Sequence, residues 1–159
     1  MAAILIRAAD RLELLQQSKS IAVIGMSSKS SRASHFVATY LLGSTDFDVY
    51  FVNPRETEIM GRNVYPSLGD IPVAIDIVDV FRRTEDLPAV TAEAIAADAK
   101  AVWFQLGLVH SEAASAAVDA GLDVVQNRCL KVEHARFRGG LHTAGFNTGV
   151  IDSRRTRLI

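Results

Sequence analysis

The stretch IAVIGMSSKSSRASHFVATYLL at residues 21–42 restricts the fold more than any other part of the chain. Four apolar residues end at Gly25, a serine-rich loop follows, and an apolar-periodic segment begins near Ser34. That order predicts a strand, a tight loop and a helix. At the start of such a helix the first backbone N–H groups lack intrahelical partners, and the helix dipole favours negative charge there. Gly25 permits a positive φ and close approach of a ligand to the backbone. Ser27, Ser28, Ser30, Ser31 and Ser34 add hydroxyls, while Lys29 and Arg32 add positive charge. A phosphate suits this loop, although the same serines also suit plain helix capping. A dinucleotide fingerprint needs further glycines where Ser27 and Ser30 stand, so the loop favours phosphate in general over NAD in particular.

Strand and helix signals alternate along the rest of the chain. A leading helix is expected over residues 9–18, then strands at 21–25, 49–52, 75–81, 101–105 and 123–126. Helices fall at 34–42, 84–97 and 111–120, with Gly43 and Gly121 as stops and Thr84 as a cap. Residues 53–74 read as irregular, apart from a helical turn near 67–70. Continuous apolar strands separated by helices predict a single doubly wound α/β domain, with a parallel sheet covered on both faces. Such folds bind ligands beyond the carboxyl ends of the strands. The residues just after each strand are therefore expected to share one crevice.

Those residues are chemically unusual. Arg55 follows the second strand, where an NAD enzyme usually offers a carboxylate to the ribose; an arginine suits a ribose-linked phosphate, as in NADP or coenzyme A, or a plain surface turn. Glu56 is within reach of a ribose but lies one residue further into the loop. Arg82 and Arg83 either clamp phosphate or pair with Asp79, Glu85 or Asp86. Phe81 suits stacking on a base or packing in the core. Gln105 and Gly107 offer an amide and exposed backbone, and Trp103 reads as core. Cys129 stands beside Arg128, a setting that lowers a thiol pKa, though free cysteines are usually buried and inert. Asp76 and Asp79 lie in an otherwise apolar strand, suited to acid/base work or to bonding nearby backbone. No nucleophile elbow or zinc-binding helix motif occurs, and the four histidines show no metal-ligand spacing. Nothing in the sequence compels an enzyme.

The 159 residues suffice for one domain with a proper core, and 49% hydrophobic with 22% charged residues marks a globular chain. A single cysteine and the absence of a secretory pattern at the start lead to an expected cytoplasmic location. Net charge is −1, which does not suggest nucleic-acid binding. Residues 126–159 nevertheless carry seven basic side chains against Glu133 and Asp152. Residues 139–159 are expected to form a basic C-terminal tail, with Arg154, Arg155 and Arg157 free to contact a partner or a second copy.

In ordered combination, the segments IAVIGMSSKSSRASHFVATYL, YFVNPRETEIMGRNVYPSL, DIVDVFRRTEDLP, AKAVWFQLG and AGLDVVQNRCLKVEHAR resemble the small stand-alone CoA-binding proteins. These in turn are similar to the CoA-binding domain of the succinyl-CoA synthetase alpha subunit. The resemblance implies a Rossmann-like domain over residues 1–138, with five parallel strands in the order 3-2-1-4-5 and CoA across the switch point. It places Gly25, Ser27 and Ser28 on the pyrophosphate, with Arg32 and Ser34 beside it. Asn53, Pro54 and Arg55 would meet the adenosine side, Arg55 near the 3′-phosphate. Val80, Phe81 and Arg82 would border the nucleotide, and Gln105 and Gly107 would face the pantetheine arm. Cys129 would approach the CoA thiol. The synthetase's phosphorylated histidine belongs to a later domain, so neither His134 nor His142 is expected to inherit its role. The function implied is non-catalytic binding of CoA or acyl-CoA. An NADP-dependent enzyme and a CoA-sensing interaction module are the alternatives.

Overall fold

In the computed structural model, which describes residues 1–138, seven strands form one sheet. Its centre is β1 (Ser20–Ile24), buried at every position, as a strand covered on both faces must be. It pairs in parallel with β2 (Asp48–Val52) on one side and β5 (Ile77–Val80) on the other. Next to β5 come β6 (Ala101–Phe104) and β7 (Asp123–Val125), both parallel. The N-terminal residues cover the free edge of β7: Leu5 N–H donates to the Val124 carbonyl at 2.7 Å, and Val124 N–H to the Ala3 carbonyl at 2.9 Å. An edge so covered cannot recruit a foreign strand.

Alternation along the strands sends side chains to two cores. Ala22, Ile24, Val78, Val80, Val102 and Phe104 pack against α3 (Leu87–Ala96) and α4 (Ser111–Asp119). Ile21, Val23, Ile77, Ala101 and Trp103 face α1 (Ala8–Gln17), α2 (Ala33–Ser44) and α5 (Leu130–Arg138). Between α1 and α5 lies a buried ion pair, Arg11 Nε to Glu133 Oε2 at 2.9 Å, with both side chains almost fully covered.

The doubly wound α/β architecture stands, but the five-stranded, all-parallel sheet does not. Residues 58–65, read as irregular, form β3 (Glu58–Ile59) and β4 (Arg62–Tyr65), paired antiparallel. Met60 (φ 53°) and Gly61 (φ 70°) make the two-residue turn, whose twist suits a hairpin. β4 joins β2 in parallel, and the full order is β3-β4-β2-β1-β5-β6-β7. Taking the place beside β2, β4 leaves Ile77–Val80 next to β1, so the order 3-2-1-4-5 fails for the strands assigned from sequence. The two added strands are short and at the sheet's margin, with only Ile59 and Val64 buried, so no apolar run announces them. Other departures are local. Gly43 does not end α2, which continues to Ser44, where Thr45 Oγ1 bonds the Leu41 carbonyl at 2.6 Å. Thr84 opens a 3₁₀ turn, Thr84–Asp86, ahead of α3 instead of capping it. Helix α5 adds an element beyond those expected from sequence. The basic tail at 139–159, with Arg154, Arg155, Arg157 and His142, lies outside the described residues.

Candidate functional site at the switch point

From β1 the chain passes to α2 on one face, and from β5 to α3 on the other. The two connections leave on opposite faces, so the carboxyl ends of β1 and β5 form the switch point where sheets of this kind place a ligand crevice. Gly25 stands at its base with φ +80°. A Cβ there would lie 2.1 Å from the Phe81 carbonyl oxygen, so no side chain fits. It would also lie 3.2 Å from Cδ of Arg82, which places the Arg82 side chain beside Gly25. Phe81 N–H donates to the Ile24 carbonyl at 2.9 Å and Gly25 N–H to the Val52 carbonyl at 3.0 Å, drawing the three strand ends together.

The serine loop is shaped from within. Ser34 is buried, and its hydroxyl accepts from Ser27 N–H at 3.1 Å. Ser27 Oγ accepts from Lys29 N–H at 3.1 Å. Arg32 occupies the N-cap of α2 without a side-chain cap, so the serines do not perform the plain capping role there. Asn53 ties the loops after β1 and β2 together. Its side-chain N–H donates to the Met26 carbonyl at 2.8 Å, and its Oδ1 accepts from Arg55 N–H at 2.8 Å. Pro54 and Arg55 are exposed beyond it. A second tie runs from the exposed Ser28, whose hydroxyl donates to Glu56 Oε1; Glu56 Oε2 is buried with no hydrogen-bond partner.

At the end of β5 the two arginines part company. Arg83 pairs with Glu85 at 3.3 Å and Asp86 at 3.2 Å, whereas Arg82 makes no ion pair among the described residues. Lys29, Arg32 and Arg55 are likewise exposed and make none. Phe81 is half-buried against the core shared by α1, α2 and α5. Val80 is fully buried in the opposite core, so its side chain has no face toward the crevice.

Two residues expected to meet the pantetheine arm are engaged within the protein. Gln105 is buried and its Nε2 donates to Asp79 Oδ1. Asp79 is itself fully buried, its Oδ2 lacks a partner, and burial pushes its carboxyl up to about 8. Gly107 N–H donates to Asn127 Oδ1 at 2.8 Å, while Asn127 N–H bonds the Leu108 carbonyl at 3.1 Å. The β6 and β7 loops thus brace each other. Asp76 bonds backbone, accepting from Lys19 N–H at 2.7 Å.

Sequence reading missed three features: the double role of Asn53, the Ser28–Glu56 tie and the buried Asp79–Gln105 pair. Only the first left a trace, since Asn-Pro marks a turn whose side chain bonds backbone. Two histidines serve the scaffold: His110 Nδ1 accepts from Ala113 N–H at 3.1 Å as the cap of α4, and His134 bonds the Tyr40 hydroxyl at 2.8 Å. Cys129 is free and half-buried. Among the described residues no group of acidic, His or Cys side chains is arranged to hold a metal ion, and no helix is long and apolar enough to cross a membrane. A separate cleft of about 450 Å³, lined in part by Lys19, Asp48 and His134, opens at the other end of the sheet. The loops at the switch point carry exposed cations without ion-pair partners among the described residues, together with serine hydroxyls, which is equipment suited to a polyanion.

Comparison with known proteins agrees with that description. A Bacillus subtilis protein, "Uncharacterized protein YneT", is 41% identical over 127 residues, covering 80% of this chain and 93% of the relative. A hypothetical protein from Pyrococcus horikoshii OT3 superimposes with a TM-score of 0.78 at 41% identity, over 83% of this chain and 92% of that one. The dinucleotide-forming acetyl-coenzyme A synthetase 1 of Ca. Korarchaeum cryptofilum shares the fold, with a TM-score of 0.67 at 24% identity over 73% of this chain and 28% of that one. The family description "CoA binding domain" matches residues 19–135, and the chain belongs to that family.

Proposed function

We propose that this protein binds coenzyme A or an acyl-CoA in the switch-point crevice and does not itself make or break the thioester. The observation that carries this reading is the junction at Gly25. There β1 and β5 meet backbone to backbone, Arg82 lies alongside, and Lys29 and Arg32 in the loop and Arg55 after β2 are exposed without ion-pair partners among the described residues. Cations left unpaired at a strand-to-helix junction complement a ligand with several phosphates. Gly25, Ser27 and Ser28 would receive the pyrophosphate, and Arg55 the 3′-phosphate. Asn53 and Ser34 act as positioning residues, because their polar atoms already shape the loops. The non-catalytic part of the reading rests on His110 and His134 being engaged in a helix cap and in packing.

Calorimetric titration with CoA and dephospho-CoA tests it. A charge-assisted contact to the 3′-phosphate is worth about 1.5–3 kcal/mol, so dephospho-CoA should bind roughly tenfold or more weakly. Arg55→Ala should remove the difference. Equal affinity for the two ligands in the parent protein rejects the role of Arg55. Stabilisation by NADP with none by CoA rejects the ligand itself.

A further inference from the structure

We infer that Glu56 is a specificity-determining residue, which accepts a hydrogen bond from the free 2′-hydroxyl of a 3′-phosphorylated ribose and rejects a 2′-phosphate. The inference rests on the proposed nucleotide reading of the crevice and adds the regiochemistry of the sugar. Three observations support it. First, Glu56 is tethered between the two loops that would flank the nucleoside, with Ser28 Oγ donating to Oε1. Second, its Oε2 is buried and unpartnered, a state that costs free energy until a donor arrives. Third, the residue before it is Arg55, exposed and without an ion pair among the described residues, with its N–H fixed by Asn53 Oδ1.

An arginine and a carboxylate on consecutive residues put a cation and an acceptor on the same loop. A ribose carrying phosphate on one hydroxyl and a proton on its neighbour matches that pair. A ribose with the phosphate on the 2′-oxygen would bring two anions together on Glu56, which is unfavourable where one oxygen is already out of water. The site is thereby fitted to 3′-phosphoadenosine ligands and set against 2′-phosphoadenosine ones.

Adenosine 3′,5′-bisphosphate and adenosine 2′,5′-bisphosphate are the probes, each titrated as a competitor of CoA against the full chain. The parent should favour the 3′,5′ isomer roughly tenfold or more. Glu56→Gln keeps an acceptor oxygen but loses the charge, so the 3′,5′ isomer should weaken while the 2′,5′ isomer tightens. The ratio should then fall to within about threefold. Equal binding of the isomers by the parent, an unchanged ratio in Glu56→Gln, or CoA binding with which neither isomer competes would each overturn the inference alone. Failure of CoA itself to bind would instead overturn the reading on which it rests.

Discussion

Replacing Asp79 with asparagine should stabilise the protein by an amount that grows with pH. Asp79 is fully buried, and its carboxyl is pushed up to about 8 from an ordinary 3.8, chiefly by burial and only partly opposed by the Gln105 hydrogen bond. In the unfolded chain the group ionises near its ordinary value, so above that pH the folded state binds more protons. Stability is then highest below about pH 4 and falls as pH rises toward 8. Each pH unit in that window costs about 1.4 kcal/mol, or on the order of 4 kcal/mol accumulated by neutral pH. The substituted amide would keep an oxygen for Gln105 Nε2 and place its nitrogen where Oδ2 of Asp79 now lacks a partner. That mismatch does not titrate, so it adds only a constant. Urea unfolding of both proteins between about pH 5 and about pH 9 provides the test. The stability difference should climb by about 1.4 kcal/mol per unit and level off above about pH 8. A difference that stays constant across this range would refute the argument, because the carboxyl would then titrate alike in both states.

Two further perturbations probe the scaffold. Gly25→Ala must relieve a 2.1 Å approach to the Phe81 carbonyl at a φ of +80°, so it should lower the urea midpoint by the equivalent of about 3 kcal/mol or more and abolish CoA binding. Retention of parental stability would show that β1 and β5 do not meet so closely. Arg11→Met leaves Glu133 buried without its cation and should cost about 3–5 kcal/mol, whereas Arg11→Met combined with Glu133→Leu should recover much of the loss. Chemical denaturation of the two variants would expose an error if the double change proved the worse.

The switch-point junction was legible because its parts are local: an apolar run, a glycine and a polar helix start within one short stretch. Asn53 and Arg55 were legible for the same reason, as punctuation after an apolar strand. Residue type and spacing did not separate Arg82 from Arg83; only the family resemblance singled out Arg82. Neighbours in the chain, they diverge only because Glu85 and Asp86 on the following turn capture Arg83, while Arg82 runs alongside Gly25. Gln105 makes a contact that its position in the sequence did not announce. It stands at a strand's end, as expected of a ligand reader, yet an acid on the adjacent strand draws it inward.

By itself, then, the sequence determined the alternation of strands and helices, the location of the serine-rich loop after β1 and the apolar faces of β1, β5 and β6. Periodicity and glycine placement are properties of neighbouring residues, and they survive without knowledge of the partner strands. Tertiary structure decided which strand lies beside β2, because β4 is held there by pairing and one buried side chain, Val64, with no apolar run to mark it. It also decided that Glu56 meets Ser28 and that Asp79 meets Gln105. Those contacts join residues far apart in the chain, and only the folded sheet brings their polar atoms within hydrogen-bonding range.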